Sequence, residues 1–212
     1  MPVFDHDGHT RAEVSRRSFL RGSAVTTAGV SIMDAAFSVA GHAEVAQSNG
    51  PPAAGPGPAP IVLTINGVAQ TLSVEPRMTL AEALRGPLGL TGTKIACDRG
   101  ACSACTVWLD GMTVCSCMLL AIDVGTRSIT TIEGLALGET LHPVQAAFIE
   151  HDALQCGFCT PGMVMSCAAL LERVPEPTDE DVRAAISGHI CRCGTYPHVV
   201  AATIAASKSR KA

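Results

Sequence analysis

Cys97, Cys102 and Cys105 place three thiols within nine residues, and a fourth, Cys117, follows after a gap of eleven. No other feature of the chain restricts its fold so tightly. Ten cysteines in 212 residues would suit a disulfide framework by count alone, but a disulfide has no need of three thiols crowded on one short stretch. The composition points the same way. Hydrophobic residues make up 47% and aromatic residues only 3%, so the core is built from Val, Leu, Ile and Ala, or is braced by something that is not protein.

Cys-x4-Cys-x2-Cys with a distant fourth cysteine is the plant-type spacing for a [2Fe–2S] cluster. Short gaps let the backbone wrap around the cluster. The fourth ligand returns on the adjacent hairpin, whose turn at Asp110-Gly111 brings the chain back to the same end. Zinc more often takes paired Cys-x2-Cys knuckles. Cys97, Cys102, Cys105 and Cys117 are therefore the predicted ligands of a first cluster. A second set, Cys156-x2-Cys159 and Cys191-x-Cys193, has 31 residues between its pairs. By spacing alone it fits zinc, a redox dithiol or a cluster equally well. Both pairs fall at predicted helix termini, where outward-pointing N–H groups favour an anionic metal centre without naming it. Cys115 and Cys167 read as small buried hydrophobes. His142 and His151 have no metal-ligand spacing and read as structural or surface residues.

Two textures divide the rest of the chain. Ile61 to Ile65 and Val68 to Val74 flank Asn66-Gly67, a two-residue hairpin signal. Thr79-Leu80-Ala81-Glu82 is a capping box that opens a short helix to Arg85. Thr106 to Leu109 and Met112 to Cys117 form a second hairpin, and Ser128 to Ile132 closes a small mixed sheet. From Leu141 the pattern turns helical. Pro143 starts a helix to Leu154, Thr160-Pro161 one to Arg173, Thr178 with Asp181 one to Gly188, and His198 to Ser207 a fourth. The predicted class is α+β, a sheet domain at 61–136 followed by a compact helical domain at 137–212.

The first residues read as an address. Ser15-Arg16-Arg17-Ser18-Phe19-Leu20 is a twin-arginine pattern. It is followed by a weakly apolar, small-residue-rich stretch too short to span a membrane and interrupted by Asp34. Cleavage after Ala40 or Ala43 puts a leader at 1–43. Residues 44–60, with Gln47 to Pro60 rich in Pro, Gly and Ala, form a flexible linker. The twin-arginine route exports folded cargo whose cofactor is inserted first, so the exported chain is expected in the periplasm with its metal in place. A net charge of −4 without runs of like charge argues against nucleic acid or an anionic membrane as a partner.

Three segments carry a resemblance: CDRGACSACTVWLDG from Cys97, LHPVQAAFIEHDALQCGFCTPG from Leu141, and GHICRCGTY from Gly188. In this order and with these gaps, they resemble the iron–sulfur subunit of the xanthine oxidase family, the molybdenum hydroxylases, and the likeness runs from Ile61 to Ala202. The resemblance implies a plant-ferredoxin-like β-grasp domain carrying one [2Fe–2S] cluster and a four-helix domain carrying another. It assigns Cys97, Cys102, Cys105 and Cys117 to the first cluster. Cys156, Cys159, Cys191 and Cys193 then fall on a second cluster that faces a molybdopterin cofactor on a large subunit. Gln155 falls where the family hydrogen-bonds the pterin, and Cys193 matches the ligand whose sulfur accepts from the pterin amino group. Two positions depart from the pattern. Ser103 and Ala96 stand where the family usually has Gly for close backbone approach in the cluster loop, and Ser103 is placed to donate its O–H to a sulfur and raise the potential.

The chain has no G-x-G-x-x-G after a strand and no P-loop, and no paired carboxylates or Cys–His pair that would make a local active site. The expected role is that of an electron-transfer subunit without catalytic residues of its own. It would pass electrons from a molybdopterin site to FAD, a cytochrome or a quinone. The exported members suggest aldehyde oxidation to the acid. An isoquinoline-type N-heterocycle hydroxylase with a cytochrome acceptor, a free-standing ferredoxin and a zinc-stapled binding protein are the competing expectations.

Overall fold

The computed structural model describes residue 55 and residues 57–209. The predicted leader lies outside the described residues, as does most of the predicted linker. Strands β1 (Ala59–Ile65) and β2 (Val68–Val74) pair across Asn66 and Gly67, whose φ values of 50° and 79° give the turn the twist a tight hairpin needs. Helix α1 (Leu80–Arg85) starts at the predicted box: Glu82 N–H donates to Thr79 Oγ1 at 3.2 Å, and Thr79 N–H donates to Glu82 Oε2 at 2.8 Å. Strands β3 (Thr106–Leu109), β4 (Met112–Cys115) and β5 (Ser128–Thr130) complete a sheet of order β2-β1-β5-β3-β4. The β1–β5 pair is parallel and the other neighbours are antiparallel.

The sheet presses one face on α1. Leu63, Ile65, Leu72, Val74, Val107, Leu109 and Ile129 meet Leu80, Ala83 and Leu84 in a core with no aromatic ring. Two strands end earlier than the sequence predicts. Ser116 donates both its N–H, at 3.3 Å, and its hydroxyl, at 2.7 Å, to the Cys105 carbonyl. That bends the chain out of β4 and leaves Cys117 on a 3₁₀ turn, Ser116–Met118, held against the cysteine loop. After β5, the Asn66 amide captures Thr131, accepting from its N–H at 2.9 Å and donating to its hydroxyl at 3.0 Å.

Four helices follow: α2 (Pro143–Glu150), α3 (Thr160–Arg173), α4 (Asp179–Ala185) and α5 (Tyr196–Ser209). His142 caps α2 by accepting the Val144 N–H on Nδ1 at 3.2 Å. The helix stops short of the predicted Leu154 because Asp152 takes a left-handed φ of 49°. Helix α3 is buried from Gly162 through Leu171 and forms the axis of the second core, with Val144, Phe148, Val199 and Ala202 around it. Cys167 lies there as a buried hydrophobe, and burial pushes its thiol up to about 12. Among the described residues, no helix is long and apolar enough to cross a membrane.

The chain's only Trp ties the two cores together. Trp108 on β3 packs against the helical core and donates Nε1–H to the Met165 carbonyl of α3 at 2.9 Å. The described residues form one compact unit.

Candidate iron–sulfur centres

The loop that carries the first cysteines is fastened before it reaches them. Arg85, in the last turn of α1, donates to the carbonyls of Thr91 at 2.7 Å and Thr93 at 2.8 Å. Glu133 accepts the Gly92 N–H at 2.8 Å. Beyond this anchor the backbone turns through left-handed φ values at Asp98 (50°), Gly100 (71°) and Ser103 (55°). These turns aim amide protons inward: Gly100 N–H donates to Cys117 Sγ at 3.3 Å, and Ala101 N–H donates to Cys97 Sγ at 3.2 Å.

Within that cradle the four thiols sit as two pairs. Cys97 is in hydrogen-bond contact with Cys102, and Cys105 with Cys117. The Arg99 N–H, then the Cys102 thiol, brings Cys97 down to about 7. Burial pushes Cys117 up to about 11 and raises Cys105. In the second set, Cys159 caps α3, and its thiol donates to Cys191. Burial pushes Cys159 up to about 12. Burial also raises Cys191, but hydrogen bonds from Thr195 and from the Cys159 thiol outweigh it and bring that sulfur down to about 7. Cys156 lies close enough to Cys159 to act on it electrostatically, and Cys193 follows Cys191 on the same turn.

These arrangements fit a binuclear cluster. A [2Fe–2S] cluster takes its four thiolates as two at each iron, which is the pairing seen in the first set. The inward N–H groups, and at the second set the start of α3, favour the negative charge such a unit carries.

The two cysteine regions touch directly. Ile190 N–H, next to Cys191, donates to the Cys102 carbonyl at 3.2 Å. A Cβ added at Gly162, in the first turn of α3, would stand 2.4 Å from the Ser103 carbonyl oxygen. Elsewhere on a helix, Gly to Ala gains about 0.8–1.0 kcal/mol. Here the methyl meets backbone, and Gly162→Ala should instead cost about 1–3 kcal/mol, as overpacking does. A lower urea midpoint of the loaded chain is the expected reading, and a higher one would mean that α3 and the loop are not in contact.

Residues 63–132 match the 2Fe-2S iron-sulfur cluster binding domain family, residues 131–204 the [2Fe-2S] binding domain family, and residues 13–32 the TAT (twin-arginine translocation) pathway signal sequence. The aldehyde oxidoreductase iron-sulfur-binding subunit PaoA of Escherichia coli O157:H7 is 41% identical over 94% of this chain and 90% of its own length. The nicotine 6-hydroxylase small subunit of Paenarthrobacter nicotinovorans is 48% identical over 68% of this chain and 87% of its own. The crystal structure of quinoline 2-oxidoreductase from Pseudomonas putida 86 superposes with a TM-score of 0.70 at 44% identity, over 73% of this chain and 96% of that one. The chain belongs to the iron–sulfur small subunits of the molybdenum hydroxylases.

As such a subunit it binds iron–sulfur clusters and transfers electrons within an oxidoreductase complex. Its two departures from the usual loop behave differently. Ala96 is exposed and outside the left-handed region, so it needs no glycine. Ser103 does take a left-handed φ, and a side chain there costs about 1–2 kcal/mol. Its hydroxyl lies 4.0 Å from Cys115 Sγ, which is not among the eight predicted ligands, so the structure does not show it donating to one of them. Gln155, next to Cys156, is exposed.

Sequence reasoning passed over several residues that shape the site. Tyr196, the chain's only Tyr, accepts the Cys191 N–H at 2.8 Å and donates to the His189 carbonyl at 2.9 Å, which clamps the turn bearing Cys191. Gly162 could have been noticed as a glycine inside a helical pattern, a sign of close approach. Nothing in the spacing pointed to Glu133 or Tyr196.

Proposed function

We propose that this chain carries electrons from a molybdopterin-bearing large subunit, through two [2Fe–2S] clusters in series, to a flavin or another acceptor outside it. The division follows the two cores: residues 61–136 hold a ferredoxin-like cluster on Cys97, Cys102, Cys105 and Cys117. Residues 137–212 hold the second on Cys156, Cys159, Cys191 and Cys193. When bound, each cluster takes up and releases one electron at a time, which divides a two-electron oxidation into single steps.

The observation that carries the reading is the 41% identity with an aldehyde oxidoreductase subunit across 94% of the chain. Aldehyde oxidation to the carboxylic acid in the periplasm is therefore the favoured reaction of the complex. The N-heterocycle reading rests on the nicotine and quinoline enzymes and on a match of comparable strength over a shorter stretch.

The surface beside the second cysteine set supports a partner there. Cys156 and Gln155 are exposed, the exposed apolar side chains of Leu154 and Phe158 (47% exposed) flank them in the chain, and Ile190 (61% exposed), next to Cys191, is uncovered as well. Exposed apolar side chains of this kind suit an interface, which supports a partner contact that takes in Gln155 and Cys193. The hydrogen bond from Ile190 to the Cys102 carbonyl joins the two cysteine regions and gives electrons a short route between them.

The test is co-purification from the native host by a tag on the chain's C-terminus. Molybdenum should come with it, and the complex should reduce its clusters on adding an aldehyde but not an N-heterocycle. Gln155→Leu should then slow that reduction about five- to thirtyfold, the effect of losing a hydrogen bond worth about 1–2 kcal/mol. Reduction of the clusters by dithionite should not change, because no ligand is touched. An active monomer without molybdenum would make the chain a free ferredoxin.

A further inference from the structure

Thr195 lies between Cys193 and α5, is 3% exposed, and holds its hydroxyl oxygen 3.4 Å from Cys191 Sγ. Its carbonyl accepts the Val199 N–H at 3.0 Å, so its backbone stands at the cap of α5. A capping threonine ordinarily turns its hydroxyl to the N–H of the second or third helical residue. The second residue here is Pro197, which has no N–H, and the hydroxyl is turned to the sulfur. Chemistry fixes the direction of that contact. A sulfur bound to iron carries no proton, so only the Thr195 O–H can donate. Ser116, a hydroxyl beside the first cysteine set, commits its proton to the Cys105 carbonyl at 2.7 Å.

We propose that Thr195 is a positioning residue that raises the reduction potential of the cluster on Cys156, Cys159, Cys191 and Cys193 by donating its O–H to Cys191 Sγ. This rests on the two-cluster reading above. Reduction adds one electron to the iron–sulfur unit and so adds negative charge at its sulfurs. A donor on one of those sulfurs stabilises the reduced state more than the oxidised one, and hydrogen bonds to sulfur are a recognised control on cluster potential. The N-terminus of α5 acts with the same sign but survives any side-chain change at residue 195, so the hydroxyl can be tested alone. The consequence is kinetic order. A raised potential makes this cluster the ready first acceptor of electrons entering the chain.

The experiment is an EPR-monitored redox titration of the assembled complex, in which the two reduced clusters give separate signals. Thr195→Val keeps the shape and removes the donor. It should shift the electron-sharing equilibrium between the clusters about three- to tenfold toward the ferredoxin-like one, tenfold being about 59 mV for a one-electron centre. The ferredoxin-like cluster should titrate as in the unaltered chain, and Thr195→Ser should restore the original partition. An unshifted second cluster in Thr195→Val would overturn the proposal, as would a Thr195→Ser chain that behaves like Thr195→Val. Should the valine variant fail to load iron, Thr195→Ala is compared with Thr195→Ser: a lower potential in the alanine chain supports the proposal, and equal potentials overturn it. Failure of the two-cluster reading looks different, because the unaltered chain would then lack the second [2Fe–2S] signal altogether.

Discussion

Cys159→Ala should abolish one of two [2Fe–2S] EPR signals, and Cys102→Ala should abolish the other. Alanine leaves no ligating atom, so in each case an iron loses one of its two protein thiolates. Iron content should fall from about four to about two atoms per chain, as the loss of one binuclear cluster requires. The two variants are not equivalent in the complex. Cys159 caps α3, whose residues Gly162 through Leu171 are buried, and pairs with Cys191. Removing it cuts the route at the end where electrons enter, so aldehyde should reduce neither cluster above the level without substrate. Cys102→Ala cuts the route at the exit. There the remaining cluster should still be reduced by substrate, while turnover with an external acceptor stops. A chain that keeps both signals after either change, or that binds zinc and shows no visible absorbance, would refute the ligand assignment.

Why the first cysteine set was readable and the second was not has a physical basis. Cys97, Cys102 and Cys105 sit on one loop, so their spacing in sequence is nearly their spacing in space. The return of Cys117 was foretold by Asp110-Gly111, which does take the left-handed values of a tight turn, 49° and 79°. Cys159 and Cys191 meet only because α3 and α4 bring the chain back over the intervening residues. No local pattern encodes that return, so spacing alone left zinc, a redox dithiol and a cluster open for the second set. The same divide explains the element boundaries. Capping boxes at Thr79 and Thr178 are local, and both are in place. The early ends of β4 and β5 are set by Cys105 and Asn66, partners distant in sequence. Gly162 was missed for that reason as well: it answers to the Ser103 carbonyl, a neighbour that only the fold supplies.

Replacing Arg16 and Arg17 together with lysine should leave the chain in the cytoplasm, with its clusters still loaded. The pair lies within residues 13–32, which match the twin-arginine signal family, and the argument turns on what such a signal is for. The export route accepts folded cargo, so a protein whose metal is inserted in the cytoplasm can cross with it. The cysteine loops here need that order. A chain exported unfolded would meet an oxidising compartment with ten free thiols, and disulfides would compete with the clusters. Lysine keeps the charge but not the guanidinium fork, so the exchange tests recognition rather than net charge. Fractionation should find the variant almost wholly in the cytoplasm, brown and with both EPR signals. A partner subunit without its own leader should be retained with it, since it would cross only as a passenger. Periplasmic accumulation of the variant would show that another route carries the chain, and cytoplasmic chain without iron would show that export and cluster insertion are coupled in the opposite order.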